Sequence, residues 1–343
     1  MSFLAILLAL VIEQAKPLSR AHPIHAVLRA WSRNMLKQFD AGATNHGWVA
    51  WSLAVAAPAL LVWALHWLLW QVHPVLAFAW HALVLYATLG FRQFSHHFTD
   101  IRDALDAGDE PRARTALAHW RQVDTSELPK TELLRHVIEY SVLAAHRHVF
   151  GVLAWYTVFS ALGFGPAGAV LYRMAEFVLR YWVYLGSPGA GRMAGRREHH
   201  GLASPAAQSA AAQAWQVIDY VPSRITALAF AVVGSFEDAV DSWRSYANNT
   251  VGKTSDNDAV IIAATAGALN VRLGGEPLRA AAVGEGANGG AEVLPDTDLG
   301  DLPEMAGREP EYAHLAQVVG LVWRSVVLWM VLLALLTLAR LLG

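Results

Sequence analysis

Residues 47–70 read GWVAWSLAVAAPALLVWALHWLLW, a stretch without formal charge that is long enough to cross a hydrocarbon core needing about 20 apolar helical residues. Only Gln71-Val-His-Pro74 separates it from a second apolar run, Val75 to Phe91, so the pair predicts a helical hairpin with an uncharged turn. Further along, a second hairpin is expected from Val149 to Tyr184, turning at Gly163-Phe-Gly-Pro166, and a last span from Val318 to Leu342. Phe3 to Ile12 is a shorter apolar run stopped by Glu13. It reads as a retained membrane-inserting helix, because a signal peptide would carry a basic leader and a small-residue cleavage site. Val217 to Val233 is apolar but punctuated by Asp219, Pro222 and Arg224. Together the runs predict an all-α polytopic integral membrane protein with about four to six membrane-embedded helices and cytoplasmic helical inserts.

Composition agrees. Of 343 residues, 55% are hydrophobic and 16% charged, mean hydropathy is +0.32, and there are 14 Trp. A soluble domain carries about 25% charged residues. With no cysteine, disulfides, thiolate metal sites and a cysteine nucleophile are excluded. A net charge of −2 excludes broad attraction to nucleic acid.

Lys16, Arg20, Arg29, Arg33 and Lys37 precede the first hairpin, and Arg92, Arg102, Arg112, Arg114, Arg121, Lys130 and Arg135 follow it. Positive flanks stay inside, which orients a multi-pass protein of the bacterial inner membrane with its polar mass in the cytoplasm. Composition shifts divide the chain into five parts. Residues 1–92 hold the N-terminal helices and first hairpin, and 93–135 form a cytoplasmic amphipathic helical insert broken at Ala107-Gly-Asp-Glu-Pro111. Residues 136–275 hold the second hairpin and a polar cavity region, 276–310 an acidic flexible loop, and 311–343 the C-terminal span. The Gly/Ala/Ser-rich stretch 186–213 reads as a mobile connector.

The fifteen His form no HExxH or other ligand spacing, so no metal site is assigned, and they read as interfacial or hydrogen-bonded core residues. Gly267, Gly274 and Gly275 match no phosphate loop and read as a helix C-cap or turn. Ionisable residues within apolar stretches are more informative: Glu139, Arg147, Arg173, Glu176, Arg180, Asp219 and Arg224. Charge at membrane depth is costly, so such groups pair or face a wet cavity. Arg173, Glu176 and Arg180 share one helical stripe. Two readings stand: an interhelical salt-bridge network, or a cytoplasm-facing pocket for an anion or cofactor lined by Arg147, Arg173, Glu176, Arg180, Asp219 and Arg224.

The ordered fragments resemble the superfamily of CobD/CbiB cobinamide-phosphate synthases and AmpE membrane proteins. Arg20-Ala-His22-Pro23, Gly108-Asp-Glu-Pro-Arg-Ala-Arg114 through Val123-Asp124-Thr125, and Gly165-Pro-Ala-Gly-Ala-Val-Leu-Tyr-Arg173 are similar to its early motifs. Asp219-Tyr-Val-Pro222-Ser-Arg224 matches a D/N-Y/W-x-P-x-R motif of both branches, and Ala266 to Gly275 resembles the synthase AGALGVRLGG. The departures lie between. Where synthases carry E-T/S-x-A-E-N-x-x-D-G, Glu139 remains but Leu143, Ala144 and Arg147 replace the second Glu, the Asn and the Asp. Glu176 to Arg180 replaces N-T-L-D-S, and S-P-N has become Ser255-Asp256-Asn257, with Ile262 at a following Glu position.

The resemblance implies two functions. One is an AmpE-like, non-synthase sensory or regulatory protein, which the lost acids favour. The alternative is a divergent adenosylcobinamide-phosphate synthase, performing ATP-dependent amidation of a cobyric-acid-type carboxylate with an aminoalcohol phosphate. ATP and Mg²⁺ are implied only by that alternative, with Asp124, Glu139 and Asn257 as its catalytic residues. Because Arg147 stands where an Asp is expected and repels Mg²⁺ unless a neighbour neutralises it, no ATP-dependent ligation is expected. The partners this implies are the lipid bilayer, a second copy of the chain, and a corrinoid or other anionic small molecule.

Overall fold

A computed structural model of the chain describes residues 2–16, 23–121, 125, 128–186, 202–249, 256–276, 278 and 302–342. Among them the elements are helical. In chain order they are α1 (Ser2–Ala15), α2 (Pro23–Phe39), α3 (Thr44–Val72), α4 (Pro74–Thr88), α5 (Phe91–Asp106), α6 (Glu110–Arg121) and α7 (Lys130–Ala145). A π-helical turn at His146–Phe150 leads into α8 (Gly151–Ala161), α9 (Ala167–Gly186), α10 (Pro205–Ile218), α11 (Tyr220–Val233), α12 (Phe236–Asn249), α13 (Asn257–Leu269) and α14 (Tyr312–Leu342). The chain forms two compact units. The first draws on Met1–Leu89 and Val152–Asp219, the second on Gly90–Gly151, Tyr220–Ala287 and Asp298–Gly343.

The first unit is organised on α3, which packs against α2, α4, α9 and α10. The uncharged turn predicted before α4 is built by His73, which ends α3 in extended conformation and accepts a hydrogen bond on Nδ1 from Val75 N at 3.2 Å. Pro74 follows as a first-turn residue, where its missing N–H costs nothing. Pro58 is a different matter, because it sits inside α3 and deprives the Ala54 carbonyl of its i+4 donor. Trp31 of α2 replaces that donor, its Nε1–H reaching Ala54 O at 3.2 Å. Close approach elsewhere depends on small residues. A Cβ on Gly168 of α9 would lie 2.2 Å from Trp155 O, and one on Gly47 would lie 2.7 Å from Ala206 O.

In the second unit α5 and α6 form the expected helical hairpin, turning at Gly108 with φ +74°. The π turn after α7 adds a residue to the helical ladder, a feature that often marks functional segments. Helix α13 is buried almost along its whole length and packs against α7, α11 and α12. Gly267 allows this, since a Cβ there would stand 2.2 Å from Asp238 O. Asn270 in left-handed conformation (φ 52°) ends α13. The predicted glycine turn follows, with Gly274 and Gly275 at φ +86° and +100°.

Several expectations change. Among the described residues two helices, Thr44–Val72 and Tyr312–Ala339, are long and apolar enough to cross a membrane, or three spans if Pro205–Ile218 and Tyr220–Val233 count as one interrupted at Asp219. The expected four to six are not reached by this measure. The second arm of the first hairpin stops at Thr88 after 15 residues, α8 has 11, and α9 carries three charges. Residues 205–213, read as connector, are the start of α10. Ser204 Oγ caps it by accepting from Ala207 N at 3.1 Å, with Pro205 in the first turn. Ser204 is itself held by Asp40, through its N at 2.9 Å and Oγ at 2.7 Å. The glycine turn is paired with residues 302–308, which belonged to the expected acidic loop; Gly275 N donates to Leu302 O at 2.9 Å and Met305 N to Leu273 O at 2.7 Å. Residues 277 and 279–301 of that loop and 187–201 of the connector lie outside the described residues.

Trp31→Phe should lower stability in detergent by about 1–3 kcal/mol, the cost of an orphaned buried carbonyl. In a Pro58→Ala background, which restores the helical donor, the same change should cost much less. Equal penalties in a double-mutant cycle of denaturant unfolding would contradict the replacement.

Candidate functional site

The residues singled out from the sequence fall into two groups, one in each unit. In the first unit the stripe on α9 converges on one carboxylate. Glu176, buried, accepts Arg173 Nη1 on Oε2 at 2.9 Å and faces Arg180 Nε with Oε1 at 2.6 Å. The three-and-four spacing brings both guanidinium groups to one carboxylate, as a helix requires. Asp219, at the C-terminal cap of α10, is fully buried and accepts a hydrogen bond from Tyr172 Oη at 2.8 Å.

The second unit holds the other group. On α7, Glu139 is 1% exposed. Its Oε1 accepts from Gly274 N at 2.7 Å and from Arg135 Nη1 at 3.2 Å, and its Oε2 lies 3.3 Å from His136 Nδ1. Arg135 also donates to Gly274 O at 2.5 Å, to Glu276 O at 2.9 Å and to Glu132 Oε2 at 2.5 Å. Burial works against the Arg135 charge, but the Glu139 and Glu132 carboxylates outweigh it and hold the guanidinium above its ordinary pKa. Both backbone groups of Gly274 are thus grasped from one helix. The position must be glycine, because φ is +86° and a Cβ would stand 2.3 Å from Pro303 O.

The N-terminus of α13 gathers two further candidates. Asn257, 2% exposed, accepts Arg224 Nη1 on Oδ1 at 2.5 Å. Arg224 lies 3.6 Å from the Tyr220 ring centroid and donates to Tyr220 O and Ser223 Oγ, both at 2.9 Å. Its guanidinium is thereby held in one place. Arg147, in the π turn, pairs with Asp258 Oδ2 at 2.5 Å. The cation expected to repel Mg²⁺ is therefore neutralised by a neighbour. His146 is a hydrogen-bonded core histidine, Nδ1 lying 2.8 Å from Thr226 Oγ1.

Asp124 lies outside the described residues; Thr125 beside it is buried and donates to Arg114 O at 2.9 Å. Arg135, His136, Gly274 and Asp258 were missed as site residues. Arg135 had a signal, its i,i+4 spacing to Glu139, whereas Gly274 and Asp258 meet their partners only through tertiary contact. The acids do not fit a resident Mg²⁺, which takes oxygen ligands at near-octahedral positions. Glu139 faces N–H donors, Asp258 faces Arg147, and among the described residues no group of three His, Asp or Glu is placed to hold a metal ion.

Comparison with known proteins adds the family. A family model described as CobD/Cbib protein matches residues 2–188 and 192–298. The chain is 31% identical over 339 residues to a cobalamin biosynthesis protein CobD of Stutzerimonas stutzeri (strain A1501), covering 96% of each chain. A protein of the same name from Chromobacterium violaceum is 32% identical over 229 residues, 67% of this chain and 64% of that one. One from Pelobacter propionicus is 25% identical over 276 residues, 79% of each. No solved structure matches the chain significantly. These relatives give no support to the AmpE-like regulatory expectation and fit the synthase alternative better.

The Arg135–Glu139 pair should be costly to break from either side. Arg135→Ala should destabilise by about 3–5 kcal/mol, since it leaves Glu139 as an uncompensated buried charge, and Glu139→Ala by less, since Glu132 still pairs with Arg135. The double variant should lose less than the sum of the singles; additive losses in denaturant unfolding would show that the two side chains do not act as a pair.

Proposed function

Because this chain belongs to the CobD/Cbib family, we propose that it is an enzyme of cobalamin biosynthesis, joining a cobyric-acid-type carboxylate to an aminoalcohol phosphate in an ATP-dependent amidation. One observation carries the reading beyond the family match. Pieces of the synthase pattern far apart in sequence meet in the second unit: Glu139 with the glycine turn at Gly274, and Arg224 with Asn257. This reverses the expectation drawn from the missing acids alone.

A carboxylate becomes an amide only after one of its oxygens is made a leaving group, which ATP supplies as co-substrate. The aminoalcohol phosphate, the corrinoid carboxylate and ATP all bring negative charge, so recognition calls for positioned cations. Arg224, held against the start of α13, serves that role in this reading, while Arg147, paired with Asp258, holds that helix start in place. Glu139, its oxygens engaged, is a positioning residue for the glycine turn. No step is assigned to Mg²⁺.

Two long apolar helices support placement in a membrane. We place the chain as a multi-pass protein of the bacterial inner membrane with its positive flanks inside. A reporter fused at Arg112 should read cytoplasmic, and a periplasmic signal would overturn that orientation.

The purified protein should form the amide product from a cobyric-acid-type substrate, aminoalcohol phosphate and ATP, and should rescue a synthase-deficient strain. Arg224→Ala should slow product formation by roughly 100-fold while the protein stays folded, the scale of losing one preorganised donor. No product from the folded wild type, with no rescue, would overturn the enzyme reading.

A further inference from the structure

Helix α2 carries three cations that the proposed amidation does not use. Arg29, Arg33 and Lys37 recur every four residues, so they follow one another along one face, each about 6 Å further along the axis. Ala26 and Ala30 lie among them and leave an open cleft of about 490 Å³, with Asn34 on its edge. The core-facing side of α2 is marked by buried Ser32, Met35 and Leu36.

The three cations are not equivalent. Arg33 is pinned, its Nε and Nη2 donating to Tyr181 Oη at 3.1 and 2.8 Å, and Tyr181 is fully buried and stacked on Phe177 and Tyr184. Arg29 and Lys37 have no hydrogen bond or ion pair among the described residues. Asp40, just beyond the helix, is committed to Ser204 N and Oγ and to Gly42 N. Asn34 accepts Gln38 Nε2 on Oδ1 at 3.3 Å, which leaves its amide N–H groups to the cleft. Like charges four residues apart destabilise a helix, and a multivalent anion on the cleft would remove that penalty.

We propose that this face of α2 binds a phosphate group, either a free phosphomonoester or the phosphodiester of an anionic lipid headgroup. Three cations and an amide match a tetrahedral anion with several acceptor oxygens, whereas a carboxylate satisfies one guanidinium fork. The proposal does not rest on the amidation reading, and each can fail alone.

The test compares the full-length protein with Arg29→Ala/Lys37→Ala, two positions without a hydrogen bond or ion pair among the described residues, so the fold should be retained, as helicity and an unfolding midpoint no lower than the parent's would show. One arm titrates inorganic phosphate and phenyl phosphate in detergent, followed by calorimetry. The other counts bound lipid by native mass spectrometry from phosphatidylethanolamine nanodiscs with and without phosphatidylglycerol. Binding in either arm that weakens by roughly tenfold or more in the double variant supports the site and identifies its source. Tyr181→Phe, which removes the hydroxyl that holds Arg33, should weaken the same arm by a smaller factor. No binding in both arms, or binding that the double variant leaves unchanged, overturns the proposal, whatever the amidation assay reports.

Discussion

Glu139 is a carboxylate with 1% of its surface exposed, and the arrangement of the second unit follows from keeping it satisfied. A buried charge is tolerated only when paired and hydrogen-bonded. Arg135 supplies the countercharge one helical turn earlier, and the Gly274 amide supplies a backbone donor from the far side of the sequence. Arg135 then takes the Gly274 carbonyl as well, so one peptide segment is gripped at both polar groups. That grip sets the turn after α13, and the turn in turn receives residues 302–308 ahead of α14. A polar constraint thus places a segment that apolar burial alone would leave unspecified.

The first unit answers the same requirement with its backbone. Pro58 opens the ladder of α3 at Ala54, and the Trp31 indole closes it from α2. Where hydrocarbon surrounds a helix no water can make that repair, so a side-chain donor has to. Other indoles do similar work: Trp80 donates to Val62 O and Trp155 to Ile218 O, both carbonyl acceptors, and Trp182 donates to Ser32 Oγ. Trp31, Trp80, Trp155 and Trp182 therefore serve hydrogen bonding within the first unit.

For function, the consequence lies in what became of the missing acids. Read along the chain, Arg147 in place of an Asp looked like the loss of a metal ligand. In space it pairs with Asp258, and together with Arg224 on Asn257 it fastens the start of α13 to the π turn and to α11. One of these tethers, Arg224 on Asn257, joins two residues that match the synthase pattern, and the other is built on a departure from it, Arg147. The chemistry proposed here accordingly rests on a positioned cation, Arg224, and a gripped glycine turn rather than on a carboxylate cage.

Read alone, the residues determined the class of protein, an all-helical chain with membrane-length apolar runs, because hydropathy and helical period are local properties. They also determined the Arg173–Glu176–Arg180 stripe, whose partners lie within two turns of one helix, and the turn at Gly108. The family resemblance was legible for the same reason, as motifs are contiguous. Which carboxylate meets which cation was not legible: Glu139 with Gly274, Arg147 with Asp258 and Arg224 with Asn257 are separated by 135, 111 and 33 residues. The start of α10 was hidden as well, since an alanine-rich stretch reads equally as linker or helix until Ser204 finds Asp40. Local pattern sets what each segment is, but a buried charge must be matched by whatever donor the packed chain brings within 3 Å, and only the tertiary structure decides which donor that is.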